Sequence, residues 1–192
     1  NENEVTSVNI LGHLKTVGRH RRLVRKYCFR LGLYWQGLTH DLSKYSPAEF
    51  WVGVRYYQGD RSPNDMERRE KGYSSAWLHH KGRNRHHLEY WTDYIDRKLV
   101  GVRIPPRFVV ETFCDRVAAS RTYKKEAYTD ASPWEYYMGG HDHSNLHPDT
   151  ERLLLGLLTM LKDKGEKETF RYIRKQMLKG KPFPWEEQAE IG

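Results

Sequence analysis

Across residues 5–31 apolar side chains recur at intervals of three and four, and His13 and His20 stand on the same stripe as Val17, Val24, Tyr27 and Leu31. That spacing is the period of an amphipathic helix, so both imidazoles face where the core must form. Lys15, Arg19, Arg22 and Lys26 fall on the opposite, solvated side. A fold built on this helix must bury two polar rings and give each a partner. Gly18 weakens the helix, and Gly32 marks its C-terminal stop.

The same period dominates the rest of the chain. A short helix is expected over 34–44. A third follows the Ser46-Pro47 break, with Ser46 as its cap, Pro47 in its first turn and Glu49 at the third position. Residues 58–64 read as a loop, 66–73 as charged and partly helical, and the whole stretch 60–71 as a charged loop that could lie over a site. Ser74 or Ser75 opens a helix through Ala76, Trp77 and His80. Lys81 to Asn84 interrupts it, and a further segment covers 86–95. Pro105-Pro106 opens a long helix through Phe108, Val109, Phe113, Val117 and Ala118. Ser132 caps a short segment over 134–138, and 139–147 is a loop. A leucine-rich helix over 150–162 is separated by Lys164-Gly165 from a last helix over 166–179. The tail from Gly180 is expected to be loosely held. No strand pair, internal repeat or low-complexity tract is evident, so the expected class is all-α.

The 192 residues suit one well-filled core, read as residues 1–130 with a C-terminal helical extension, 131–192, packed on the same domain. An aromatic content of 13% argues against disorder. The net charge of +8 favours anionic partners, although solubility alone explains it as well. The two cysteines, Cys28 and Cys114, sit singly in apolar patterns. They make neither a disulfide scaffold nor a thiolate zinc site, and suit a reduced, cytoplasmic protein. The first residues, Asn1-Glu2-Asn3-Glu4, lack the apolar run of a secretory signal, and no stretch has the length of a membrane span.

Chemistry concentrates in the histidines. In His40-Asp41-Leu42-Ser43-Lys44 an imidazole and a carboxylate are adjacent. Neighbours on a helix diverge by about 100°, so they converge on one point only near a helix end. Lys44 shares their face and could hold a substrate phosphate. The plainer alternative is a capping aspartate beside a chance histidine. With a tight turn at Gly32-Leu33 the first two helices pack antiparallel, which brings His20 toward His40 and Asp41. His13, two turns further, stays open between ligand, support for a ligand, and packing.

A second group follows, in which His79, His80, His86 and His87 fall within nine residues. His80, His86 and His87 are the preferred ligands, because adjacent residues seldom both point inward and His79 is then the weakest of the four. Lys81, Arg83 and Arg85 interleave, so a basic anion-binding loop is an alternative that can coexist. Asn84 could cap the next helix or touch substrate. Asp115 borders the inward stripe of Cys114, Val117 and Ala118, where a lone carboxylate is costly unless a cation or an arginine meets it. Trp77, Tyr90 or Trp91 could stack a base or simply fill the core. His141, His143 and His147 read as a surface group that could close over the site.

The order His20, His40-Asp41, Asp115, with Lys44 after the doublet, resembles the HD-domain superfamily of metal-dependent phosphohydrolases. His80, His86 and His87 resemble the extra histidines of its two-metal branch. The strings HDLSKYSPAEF (40–50) and HHKGRNRHHLEYW (79–91) are similar to those of an uncharacterised bacterial and phage family. The resemblance implies an HD-like helical bundle that hydrolyses a nucleotide or another phosphate ester. It implies one or two divalent ions (Mn, Fe, Mg, Co, Ni or Zn). His20, His40, Asp41 and Asp115 would hold one, and Asp41 would bridge to a second on His80, His86 and His87. Asp41 and Lys44 would be catalytic, with Lys44, Arg83, Asn84 and Arg85 toward substrate. The His20 to His40 spacing is short for HD proteins, which leaves His13 open as the first ligand. Two rival expectations are a di-iron oxygenase of the same ligand type and a non-enzymatic module that binds anions or nucleic acid.

Overall fold

The computed structural model describes residues 9–139 and 145–183. Among them are eight α-helices and one two-stranded sheet, and the fold is all-α. No described helix is long and apolar enough to cross a membrane.

Helix α1 spans Ile10–Arg30. Asn9 caps it, its Oδ1 accepting from the Gly12 amide at 2.7 Å. The buried face is the stripe read from the sequence: His13, Val17, His20, Val24 and Tyr27, with Cys28. At the other end Gly32 adopts φ +78°, the Gly32 amide donates to Phe29 O and the Leu33 amide to Cys28 O. This is the Schellman closure that a left-handed glycine permits. The chain then reverses into α2, Tyr34–Thr39, shorter than the 34–44 expected. Gly37 lets α2 lie close on α1, since a Cβ there would meet Phe29 Cδ1 at 2.9 Å. Arg21 of α1 donates to the carbonyls of His40 (2.8 Å) and Leu38 (3.3 Å), which pins the end of α2.

After a 3-10 turn at Leu42–Tyr45 come α3, Pro47–Arg55, α4, Pro63–Lys71, and α5, Ser75–Lys81. The charged stretch over 60–71 is therefore largely helical, its helix starting at Pro63, ahead of the partly helical 66–73 expected. Its apolar content is too low for a stripe, and it is tied down by one fully buried acid instead. Glu67 accepts from Ser74 Oγ and Ser75 Oγ (both 2.7 Å) and from Lys71 Nζ (3.1 Å). Ser74 caps α5 through the Trp77 amide, whereas Ser46 makes no capping bond to α3.

The segment expected over 86–95 is a 3-10 turn, Leu88–Tyr90, followed by a hairpin of β1, Thr92–Ile95, and β2, Lys98–Gly101, in antiparallel register with Ile95 opposite Lys98. Asp96 and Arg97 both have positive φ (48° and 64°), the two-residue hairpin geometry usually signalled by glycine. With arginine in that place, the pair is not legible as a turn.

Helix α6, Pro106–Lys124, runs through the middle. Its Val109, Val110, Phe113, Val117 and Ala118 pack between Val24 and Tyr27 of α1, with Leu31 just past its end, and the leucines of α8 in one hydrophobic cluster. Helix α7 spans Ser132–Met138, with Ser132 inside it rather than capping it by its side chain. Helix α8 spans Pro148–Leu178 and breaks at Gly165 (φ 77°, ψ 169°), as Lys164-Gly165 predicts. Asp130 Oδ2 accepts from the Glu166 amide and caps the second half. Leu154, Leu157, Leu158 and Leu161 are wholly buried, contributing roughly 2 kcal/mol each to seating α8. Of the tail expected to be loose, Phe183 packs into the same core, 2% exposed, and residues 184–192 lie outside the described residues.

Candidate metal centre

The helix end at Thr39 solves the problem of two adjacent ligands. His40 leaves α2 with φ −50° and ψ 125°, and Asp41 turns into the left-handed region at φ 54° and ψ 26°. Aspartate tolerates that conformation better than most residues. The reversal turns both side chains inward, 2% and 1% exposed. His20 on α1, Asp115 on α6, His80 on α5 and His86-His87 beyond it close around them.

Two largely buried quartets share Asp41 and could each hold an ion: His20, His40, Asp41 and Asp115, and Asp41, His80, His86 and His87. In the first, His20 Nε2 lies 2.9 Å from Asp115 Oδ1 and 3.7 Å from Asp41 Oδ2. His40 Nε2 lies 3.3 Å from Asp115 Oδ1, 3.5 Å from Asp41 Oδ2 and 3.4 Å from His20 Nε2. In the second, His80 Nε2 and His86 Nε2 lie 3.2 and 3.3 Å from Asp41 Oδ1. The two carboxylate oxygens of Asp41 thus face different quartets.

The outer nitrogens decide the tautomers. His40 Nδ1 and His86 Nδ1 meet the same oxygen, Glu111 Oε1, at 3.1 and 3.2 Å. His80 Nδ1 meets Glu49 Oε2 at 2.7 Å. An ionised carboxylate can only accept, so these Nδ1 atoms carry protons and the Nε2 lone pairs point inward. There they find too few donors. Asp41 Oδ1, His86 Nε2 and His87 Nε2 are buried and have no hydrogen-bond partner. Such atoms are expensive to leave unmatched, and imidazole nitrogens with carboxylates are the donor set of a divalent transition-metal site. The residues present fit a metal.

The electrostatics agree. Burial opposes ionisation of Asp41, yet His40, Lys44 and His80 hold its carboxyl well below the usual range. Burial likewise opposes Asp115, which His20, His40 and His86 hold down. Burial opposes protonation of His40, but Asp41, Asp115 and Glu111 outweigh it and push its pKa up to about 10. Burial, with the charges of His86 and His80, keeps His87 neutral.

Lys44 Nζ stands 3.0 Å from Asp41 Oδ2 with its side chain one-third exposed, and Asp115 is 19% exposed on the same side. His40, Asp41, His80 and His86 are no more than 4% exposed. Solvent therefore reaches the first quartet past Lys44 and Asp115, while in the second only His87 is partly exposed.

Other expected residues are placed elsewhere. His13 belongs to neither quartet, and its ring packs edge-on against Phe50 and Tyr57. His79 pairs with Glu49 Oε1 at 2.6 Å and is not in a quartet. Asn84 is buried and ties loops together, donating to Ser43 Oγ and the His80 carbonyl (both 2.8 Å), and it does not cap the next helix. Arg83 is exposed and donates to the His79 carbonyl. Arg85 is exposed, its guanidinium beside Tyr90 and Phe108. Trp77 packs edge-on to His87, and Trp91 against Phe108. His147 caps α8 through the Asp149 amide, and His141 and His143 lie outside the described residues. Glu111 and Glu49 were not foreseen. Glu111 precedes Asp115 by one helical turn and so shares its face, a signal that was available. Glu49 occupies a capping position and reads as a cap.

No curated protein and no solved structure matches the chain. A family model described as a family of unknown function, DUF5662, matches residues 9–160. Every residue of both quartets, with Glu49 and Glu111, falls inside that span, and the chain belongs to the DUF5662 family.

Proposed function

We propose that this protein is a metal-dependent phosphohydrolase of the HD type, acting on a nucleotide or another phosphate ester. The carrying observation is the pair of quartets sharing Asp41, with inward lone pairs and buried donor atoms that nothing else satisfies. His20, His40, Asp41 and Asp115 would hold one ion, and Asp41, His80, His86 and His87 a second. When bound, such ions lower the pKa of a water toward neutrality and draw charge from phosphoryl oxygens. Glu111 and Glu49 keep the Nδ1 protons in place, so His40, His86 and His80 stay in the ligating tautomer. Lys44, charged and at the open side, binds a non-bridging phosphoryl oxygen of an incoming ester. The +8 net charge favours an anionic substrate.

The test is elemental analysis of purified protein, then hydrolysis of p-nitrophenyl phosphate and a panel of nucleotides with Mn, Fe, Co, Ni, Mg or Zn restored. Two equivalents of metal and metal-dependent phosphate release are expected. Asp41→Ala should lose both. Lys44→Met should keep its metal and lose kcat/KM by roughly 10–100-fold. Absence of bound metal together with absence of metal-dependent release overturns the reading. Metal-bound protein that consumes oxygen instead points to a redox centre.

A further inference from the structure

We infer that Glu111 couples the two quartets, so that filling one organises the other. The inference rests on the metal-centre reading above and concerns a residue outside both quartets. Glu111 sits on α6 one turn before Asp115, so the same helix face that supplies a ligand also supplies this carboxylate. One atom, Oε1, accepts from Nδ1 of His40 at 3.1 Å and from Nδ1 of His86 at 3.2 Å. His40 belongs to the first quartet and His86 to the second. Their rings lie 4.3 Å apart between centroids at a 35° tilt, too close to reorient independently. Glu111 also groups with His40 and His86 at ligating range, but it meets their Nδ1 atoms while their Nε2 atoms face the quartets, so it orients those rings from behind.

The sharing has a consequence for binding order. Two cations on one Asp41 carboxylate repel, so a shared bridge alone makes the second ion bind more weakly. A buried anion hydrogen-bonded to a ligand of each site opposes that. An ion on His40 Nε2 polarises the ring and strengthens its Nδ1–H bond to Glu111, which fixes the carboxylate where His86 needs it. Glu49 is the internal contrast, because it reaches His80 of the second quartet and His79 of neither. Glu111 is a positioning residue for both sites and Glu49 for one.

The experiment titrates the metal-free full chain with Mn(II), read by calorimetry and by electron paramagnetic resonance at one equivalent. Wild type should show spin-coupled pairs beside empty protein at that point, since the second ion follows the first. Glu111→Ala should weaken both steps by roughly 10–100-fold and give isolated Mn(II) at one equivalent. Glu111→Gln, which keeps the shape and one acceptor oxygen but removes the anion that opposes the repulsion between the ions, serves if the alanine variant does not fold and should also give isolated ions. Glu49→Ala should weaken one step only. A wild type that binds no Mn(II) defeats the metal centre itself. A wild type that binds two ions independently, or Glu111 variants that keep coupled pairs at one equivalent, overturns the coupling alone.

Discussion

Chelation of ions from the proposed centre should cost this protein a large part of its thermal stability, by an amount set by the free metal relative to the dissociation constant. The ligands come from α1, the end of α2, α5, the 86–87 loop and α6, from His20 to Asp115. An unfolded chain does not gather groups so widely spaced, so binding stabilises the native state almost alone. At free metal one hundred times the dissociation constant, each site then contributes about 2.7 kcal/mol. For a chain of this length that is about 5–11 °C of melting temperature per site, and about 11–22 °C for two. The assay is differential scanning calorimetry of metal-free protein over a range of Mn(II) and Zn(II) concentrations. Asp41→Ala should abolish the upward shift, because each of its oxygens faces one quartet. His87→Ala should remove the part due to the second quartet and keep the rest. A melting temperature indifferent to metal, or a wild-type shift that survives Asp41→Ala undiminished, would refute the reasoning.

Four further tests address the scaffold. Glu67→Ala removes the buried acceptor of Ser74, Ser75 and Lys71; urea unfolding should show a loss of about 3 kcal/mol, and an unchanged midpoint would argue against Glu67 as the anchor of α4 and α5. Gly32→Ala places a Cβ on a residue at φ +78° and should cost about 1–2 kcal/mol by the same measurement; no loss would mean the closure of α1 is not strained by a side chain. Gly53→Ala puts its Cβ 2.3 Å from Cε1 of His13, which should destabilise by about 2 kcal/mol and be relieved in the Gly53→Ala, His13→Ala pair. Burial, with Lys44 nearby, lowers the His13 pKa to about 4 from the ordinary 6.5. The folded value lies below the unfolded one, so this stability is complete above pH 6.5 and is lost as pH falls toward 4. His13→Gln should therefore lose less stability than wild type across that window, and parallel profiles would contradict it.

Much of the centre was legible before any coordinates. A histidine on an apolar helical stripe, a His-Asp doublet before a helix break and an aspartate bordering a buried face each carry a local demand for a partner. His20, His40, Asp41 and Asp115 meet on that demand, and Lys44 falls beside Asp41 as its three-residue spacing requires. Glu49 escaped notice because a third-position glutamate usually serves the helix that carries it, and here it turns to His79 and His80 instead. Helix α4 was only partly legible, because its hold on the molecule is Glu67, a single buried charge with no periodic signature. The β1–β2 hairpin was hidden by Arg97 in a turn position that glycine normally marks.

Periodicity and capping chemistry are local, and they settle which residues form helices, where α1 stops and which faces turn inward. His13 shows where that knowledge ends: it shares the stripe of His20, yet meets Phe50, Tyr57 and Gly53 rather than a ligand. A helical period assigns a side chain to a face and says nothing of what stands opposite. That depends on how α1, α5 and α6 cross and on the left-handed turn at Asp41, which long-range packing selects. Only in the folded chain do the two oxygens of Asp41 look toward different groups of histidines, with Glu111 behind one ring of each.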